Sequence, residues 1–127
     1  MKAHPDKGRK GFDRVVHATR HSFDGLRAAF HHESAFRQEI WIAAVVFPLA
    51  MWLGQNWLER SLLAASITMV FVVELLNSGI EAAIDRIGSE HHELSKRAKD
   101  MASAAVLLTL LLCSALLITA AVRRFMA

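Results

Sequence analysis

The chain has 127 residues, 54% of them apolar and 21% charged, with a net charge of +3. In a soluble protein of this length so large an apolar share leaves greasy surface exposed, so the composition points to a bilayer. Cys113 is the single cysteine, which excludes an intrachain disulfide and suits a small core filler, while the basic excess fits an inner-leaflet anchor better than a nucleic-acid surface.

Residues 1–11, with Pro5 and two glycines among the lysines, read as a disordered basic tail. Over 12–33, Phe12, Val16, Thr19, Phe23, Leu26 and Phe30 recur at steps of three and four, with Asp13, Arg14, His17, Arg20, Asp24, Arg27 and His31 mainly between them. That pattern predicts a helix lying in the membrane surface. A soluble amphipathic helix packed on the spans is the competing arrangement. The basic region ahead of Ile40 is too long and too charged for a cleavable signal.

Apolar stretches at about 36–53, 61–85 and 101–122 each approach the roughly 20 residues that cross a 30 Å hydrocarbon core. Eight Lys and Arg lie ahead of Ile40, Arg60 stands alone in the first turn, four fall between spans two and three, and two follow span three. This asymmetry places the N-terminus and the second loop in the cytoplasm. Gly54-Gln55-Asn56 reads as a short outer turn, with Trp41, Trp52 and Trp57 as interfacial anchors. The expected fold is an all-α membrane protein, three transmembrane helices preceded by an amphipathic surface helix, forming one domain over 12–127.

Span two carries Glu74-Leu75-Leu76-Asn77-Ser78-Gly79-Ile80-Glu81. An ionisable group at bilayer depth costs roughly 2.5–3.5 kcal/mol on insertion scales, so it marks a functional site by default. Residues 74, 77, 78, 81 and 85 share one helix stripe. If the span enters at Ser61, Glu74 lies about 20 Å deep and Glu81 about 10 Å further along, near the opposite boundary. Glu33 ends the surface helix at that boundary, and a polar loop from Gly88 to Asp100 starts there. Acids and a lysine gathered at one level fit phosphoryl transfer: Mg²⁺ takes one or two carboxylates plus phosphate oxygens, a lysine steadies phosphate charge, and a deep acid serves as base for a lipid hydroxyl. Acids along one stripe also serve proton-coupled transport. Neither G-x-x-x-x-G-K-[ST] nor G-x-G-x-x-G occurs, which excludes a P-loop or protein-kinase-like nucleotide site. His31-His32 and His91-His92 are adjacent pairs that point to different faces, and they read as solvated interfacial histidines, not zinc ligands. Asp85 reads as part of an interfacial ion-pair network with Glu81 and Arg86.

The strings Gly25-Leu26-Arg27-Ala28-Ala29-Phe30, Glu33 with Ala35-Phe36-Arg37-Gln38-Glu39, Val73-Glu74-Leu75-Leu76-Asn77-Ser78 through Glu81, Asp85-Arg86-Ile87-Gly88-Ser89-Glu90, and Glu93-Leu94-Ser95 with Arg97-Ala98-Lys99-Asp100-Met101 closely resemble the small integral-membrane diacylglycerol kinases of bacteria. The resemblance implies an ATP- and Mg²⁺-dependent enzyme of the inner membrane that converts diacylglycerol to phosphatidate, as a homotrimer with shared active sites. It gives Glu74 the role of catalytic base, with Asn77 beside it, and gives Glu33 and Glu81 the metal. His21, Glu33, Glu81, Glu90, His91, His92, Lys99 and Asp100 fall at its ATP positions. Arg14, Ser22, Arg27, Ala35, Glu39, Glu74 and Ser103 fall along its lipid groove. His21 and His91 stand where the family pattern has tyrosines, and Lys96 where it has glycine. A related branch acts on undecaprenol, and spacing alone separates the two lipids poorly.

Overall fold

A computed structural model describes residues 10–126, as helices α1 (Phe12–His32), α2 (Ser34–Leu53), α3 (Trp57–Ile87) and α4 (Glu93–Met126). Residues 1–9, the greater part of the expected basic tail, lie outside the described residues. Gly11 starts α1 at φ 66°, a backbone angle that a side chain disfavours.

On α1 the apolar stripe is real but the protein does not cover it: Phe12 and Phe23 are 83% and 64% exposed, and only Ala29 is buried. Within this chain the stripe is left uncovered, as the surface-helix pattern expects. The chain then turns at Glu33, whose extended backbone separates α1 from α2. Arg37 Nη1 donates to the carbonyls of Phe30 and His31 at 2.8 and 2.9 Å. These are orphan acceptors at a helix C-terminus, where a cation is also favoured by the dipole.

Helices α2, α3 and α4 are each long and apolar enough to cross a membrane. Their shared core is small, built around Ala50, Leu53, Leu63, Ile67, Val70, Cys113 and Ala120. Lipid replaces water around spans of this kind, so wide apolar exposure carries no hydrophobic penalty. Cys113 takes the expected place in that core. The α2–α3 turn is the predicted one. Asn56 Oδ1 caps α3 by accepting from Glu59 N at 3.0 Å, and Glu59 Oε2 accepts from Gln55 N at 2.8 Å, close to a capping box. Glu59 also pairs with Arg123, and Gln55 Nε2 donates to Arg123 O at 3.0 Å, which ties this turn to the end of α4. At Gly54 a Cβ would stand 2.6 Å from Arg60 Cγ and 3.2 Å from its backbone nitrogen. Gly54→Ala is therefore expected to destabilise the fold by about 1–3 kcal/mol, read as a lower midpoint of thermal unfolding in detergent.

The helix ends differ from the apolar limits. α4 starts at Glu93 instead of 101, so the loop shrinks to residues 88–92, and Lys99 and Asp100 sit on a helix. Apolarity marks where the bilayer begins, whereas Glu, Leu, Lys, Arg and Ala in residues 93–99 are good helix formers in water. At 1.5 Å per residue the 31 residues of α3 and 34 of α4 run about 46 and 51 Å, well past a hydrocarbon core of roughly 30 Å. Both helices therefore project beyond the hydrocarbon, and the candidate site lies at the end where the short loop joins them.

Candidate active site

The buried face of α3 runs Leu63, Ser66, Ile67, Val70, Glu74, Ser78, a stripe that changes from apolar to polar as it approaches the loop. Steps of three and four keep it on one side of the helix. Glu74 is buried, and the charges that act on it are those of Glu81 and Glu33. Glu39, on α2, lies close enough for the Glu74 charge to reach it. The α1–α2 corner places Glu33 in the lining of the same groove as Leu75, Ser78, Gly79 and Ala82 of α3. Glu33 and Glu81 thus lie within electrostatic reach of Glu74, and Glu74 within reach of Glu39.

Asn77 Nδ2 donates to Glu81 Oε1 at 3.4 Å, while Asn77 Oδ1 is buried without a partner. Glu33, Glu81 and that amide oxygen are hard oxygen donors of the kind Mg²⁺ takes. Among the described residues no three His, Cys, Asp or Glu side chains gather into a complete metal cage. A cation carried by phosphate oxygens would need only one or two carboxylates, a share that Glu33 and Glu81 are chemically able to supply.

On the loop side, Lys99 Nζ contacts Asp85 Oδ1 at 2.6 Å, and the Glu81 charge also acts on it. Asp85 therefore pairs across to α4 and not with Arg86, its sequence neighbour. Asp100 is held by Lys96 at 2.5 Å. Lys96 stood out in the sequence only as a departure from the family pattern, and its i, i+4 spacing to Asp100 was the available signal.

The remaining predicted residues divide among separate openings. Ser22 and Glu33 line a groove of about 700 Å³ between α1 and α3, together with Ser78 and Gly79. Arg14 shares a second, open hollow along α1 with Ser22. Glu90 and His92 line a hollow of about 560 Å³ at the loop, with Ser89 and Ser95. His92 Nδ1 also accepts from Leu94 N at 3.1 Å, which shapes the start of α4. Glu39 lines a groove among α2, α3 and α4. His21, Arg27, Ala35, His91 and Ser103 are exposed and line none of these openings.

The model of the family described as prokaryotic diacylglycerol kinase matches residues 20–121. The chain belongs to the prokaryotic diacylglycerol kinase family. It is 52% identical over 101 residues to the diacylglycerol kinase of Escherichia coli strain K12, covering 80% of this chain and 83% of that one. The diacylglycerol kinase of Pseudomonas aeruginosa is 47% identical over 105 residues, 83% of this chain and 85% of its own. That of Haemophilus influenzae is 44% identical over 100 residues, 79% and 85% of the respective chains. The matched region of this family member holds the α1–α2 corner, the whole of α3 and most of α4, so every acid of the cluster falls inside it.

Proposed function

We propose that this multi-pass membrane protein is an ATP-dependent kinase that phosphorylates the free hydroxyl of diacylglycerol, giving phosphatidate at the cytoplasmic face of the inner membrane. The observation that carries the reading is the buried Glu74 within electrostatic reach of Glu33, Glu39 and Glu81 on the loop-side half of α3. A carboxylate at that depth meets a lipid hydroxyl where water is scarce. The two charges nearer the loop meet a triphosphate that comes from water.

In the proposed reaction Glu74 takes the hydroxyl proton as the hydroxyl oxygen attacks the γ-phosphorus. The bond from that phosphorus to the β,γ-bridging oxygen breaks, and ADP leaves. Glu33 and Glu81 would hold Mg²⁺, which when bound neutralises charge on the transferred group. Lys99, with Glu90, His92 and Asp100, lies on the loop side and is assigned to the nucleotide. The excess of Lys and Arg before span one and between spans two and three supports the cytoplasmic orientation. A homotrimer with shared sites belongs to the same proposal: in one chain the α1/α3 groove and the Glu90–His92 hollow are separate openings, and a neighbouring copy would join them.

The test is transfer of radiolabel from ATP to diacylglycerol, undecaprenol and monoacylglycerol in detergent. Diacylglycerol is expected to take most label. Labelled undecaprenol beside inert diacylglycerol would move the protein to the undecaprenol branch. Ion-coupled flux without nucleotide turnover would favour a transporter, a reading that the crowding of polar groups at one end of the spans already disfavours.

A further inference from the structure

Lys96 stands on the first turn of α4, at the position where the family pattern has glycine. Its backbone nitrogen donates to His92 O at 3.0 Å, and Ser95, the residue before it, lines the hollow at the loop together with Glu90 and His92. Its Nζ lies 2.5 Å from Asp100 Oδ2, with both side chains 63% exposed. Among the described residues Asp100 has no other cationic partner, because the nearest lysine in sequence, Lys99, is engaged by Asp85 of α3. Glycine at position 96 would leave the Asp100 carboxylate bare on the side assigned to the nucleotide.

Helix stability does not account for the pair. An i, i+4 ion pair supports a helix best when the acid comes first, whereas here the lysine does, and a cation in the first turn opposes the helix dipole. Exposed pairs of this kind also contribute little to folding. What the pair does change is the field in front of α4. A bare carboxylate presents a full negative charge, while a carboxylate joined to an ammonium group presents a short dipole whose potential falls faster with distance. A triphosphate carries several negative charges, so it feels one unbalanced acid several times over.

We propose that Lys96 is a positioning residue for the nucleotide, one that holds Asp100 through Oδ2, offsets its charge, and thereby lowers the KM for ATP. The assignment rests on the kinase reading and adds to it a residue outside the family pattern. Oδ1 of Asp100 is left to accept a hydrogen bond from the nucleotide. Lys96 acts through Asp100 and touches no reacting atom.

The experiment uses the full chain in detergent with saturating diacylglycerol and excess Mg²⁺, and compares the parent with Lys96→Met, Lys96→Arg, Asp100→Asn and the Lys96→Met/Asp100→Asn double variant. Lys96→Met is expected to raise KM for ATP by about three- to tenfold while kcat stays within about twofold, and Lys96→Arg is expected to restore the parent KM. The rise should shrink at least by half in about 0.5 M KCl, since salt screens exposed charges. In the Asp100→Asn background Lys96→Met should add nothing, because the charge that it leaves unbalanced is already gone. An equal rise in that background means that Lys96 meets the phosphates directly, and it overturns the positioning role. An unchanged KM in Lys96→Met overturns it as well, as does a rise that salt leaves intact beside a lower thermal midpoint, the mark of a structural lysine. Equilibrium dialysis of radiolabelled ADP against the same variants, without lipid, separates the two readings. Lipid phosphorylation with an ADP affinity indifferent to Lys96 sinks the positioning role alone, and a Lys96-dependent ADP affinity without lipid phosphorylation sinks the kinase reading alone.

Discussion

Glu74→Gln is expected to lower kcat for diacylglycerol phosphorylation by about 10²–10⁴-fold, the usual contribution of a positioned general base. The substitution keeps the shape of the side chain and removes only its ability to take a proton. Its effect on stability should run the other way. Glu74 is buried among like charges from Glu33, Glu39 and Glu81, an arrangement in which a neutral amide is easier to bury than a carboxylate. The variant should therefore unfold at the same temperature or higher while KM for ATP stays close to that of the parent. Stopped turnover in an equally stable protein separates chemistry from folding. Near-native turnover would remove Glu74 as the base, and lost stability would make it a structural residue.

That combination of a stable fold and a repulsive cluster explains what was legible in the sequence. Span two announced itself because Glu74 and Glu81 contradict an apolar run, and helix periodicity alone puts Asn77 and Ser78 on their face. The corner at Glu33 was legible for a similar reason: the α1 pattern ends there and the first span begins. The start of α4 was not, because hydropathy reports the bilayer and residues 93–100 form helix in water beyond it. The Asp85–Lys99 contact was equally hidden. Its partners lie on different helices, and nothing in one sequence sets the rotation of α4 against α3. The same limit concealed the groove behind Glu39, which exists only through the relative positions of three helices. The uncovered stripe of α1, by contrast, follows directly from its spacing, since a surface helix needs no tertiary partner.

Replacing the carboxylates nearer the loop should change a different quantity. Glu33→Gln and Glu81→Gln are each expected to reduce activity at limiting Mg²⁺ by about 10- to 100-fold, with part of the loss regained as Mg²⁺ is raised. A base variant cannot be rescued in that way, so Mg²⁺ titration at fixed ATP distinguishes the two kinds of acid. Glu81 should show the larger loss, because it also accepts from Asn77 Nδ2 and its charge acts on Lys99, so its replacement disturbs both groups. Asp85→Asn supplies the contrast. Asp85 pairs with Lys99 on an exposed surface, where an ion pair contributes little, and activity should stay within about fivefold of the parent. If Glu33→Gln and Glu81→Gln respond to Mg²⁺ no differently from Asp85→Asn, their charges serve helix packing and the metal assignment fails. If only Glu81→Gln responds, the α1–α2 corner positions the nucleotide without holding its cation.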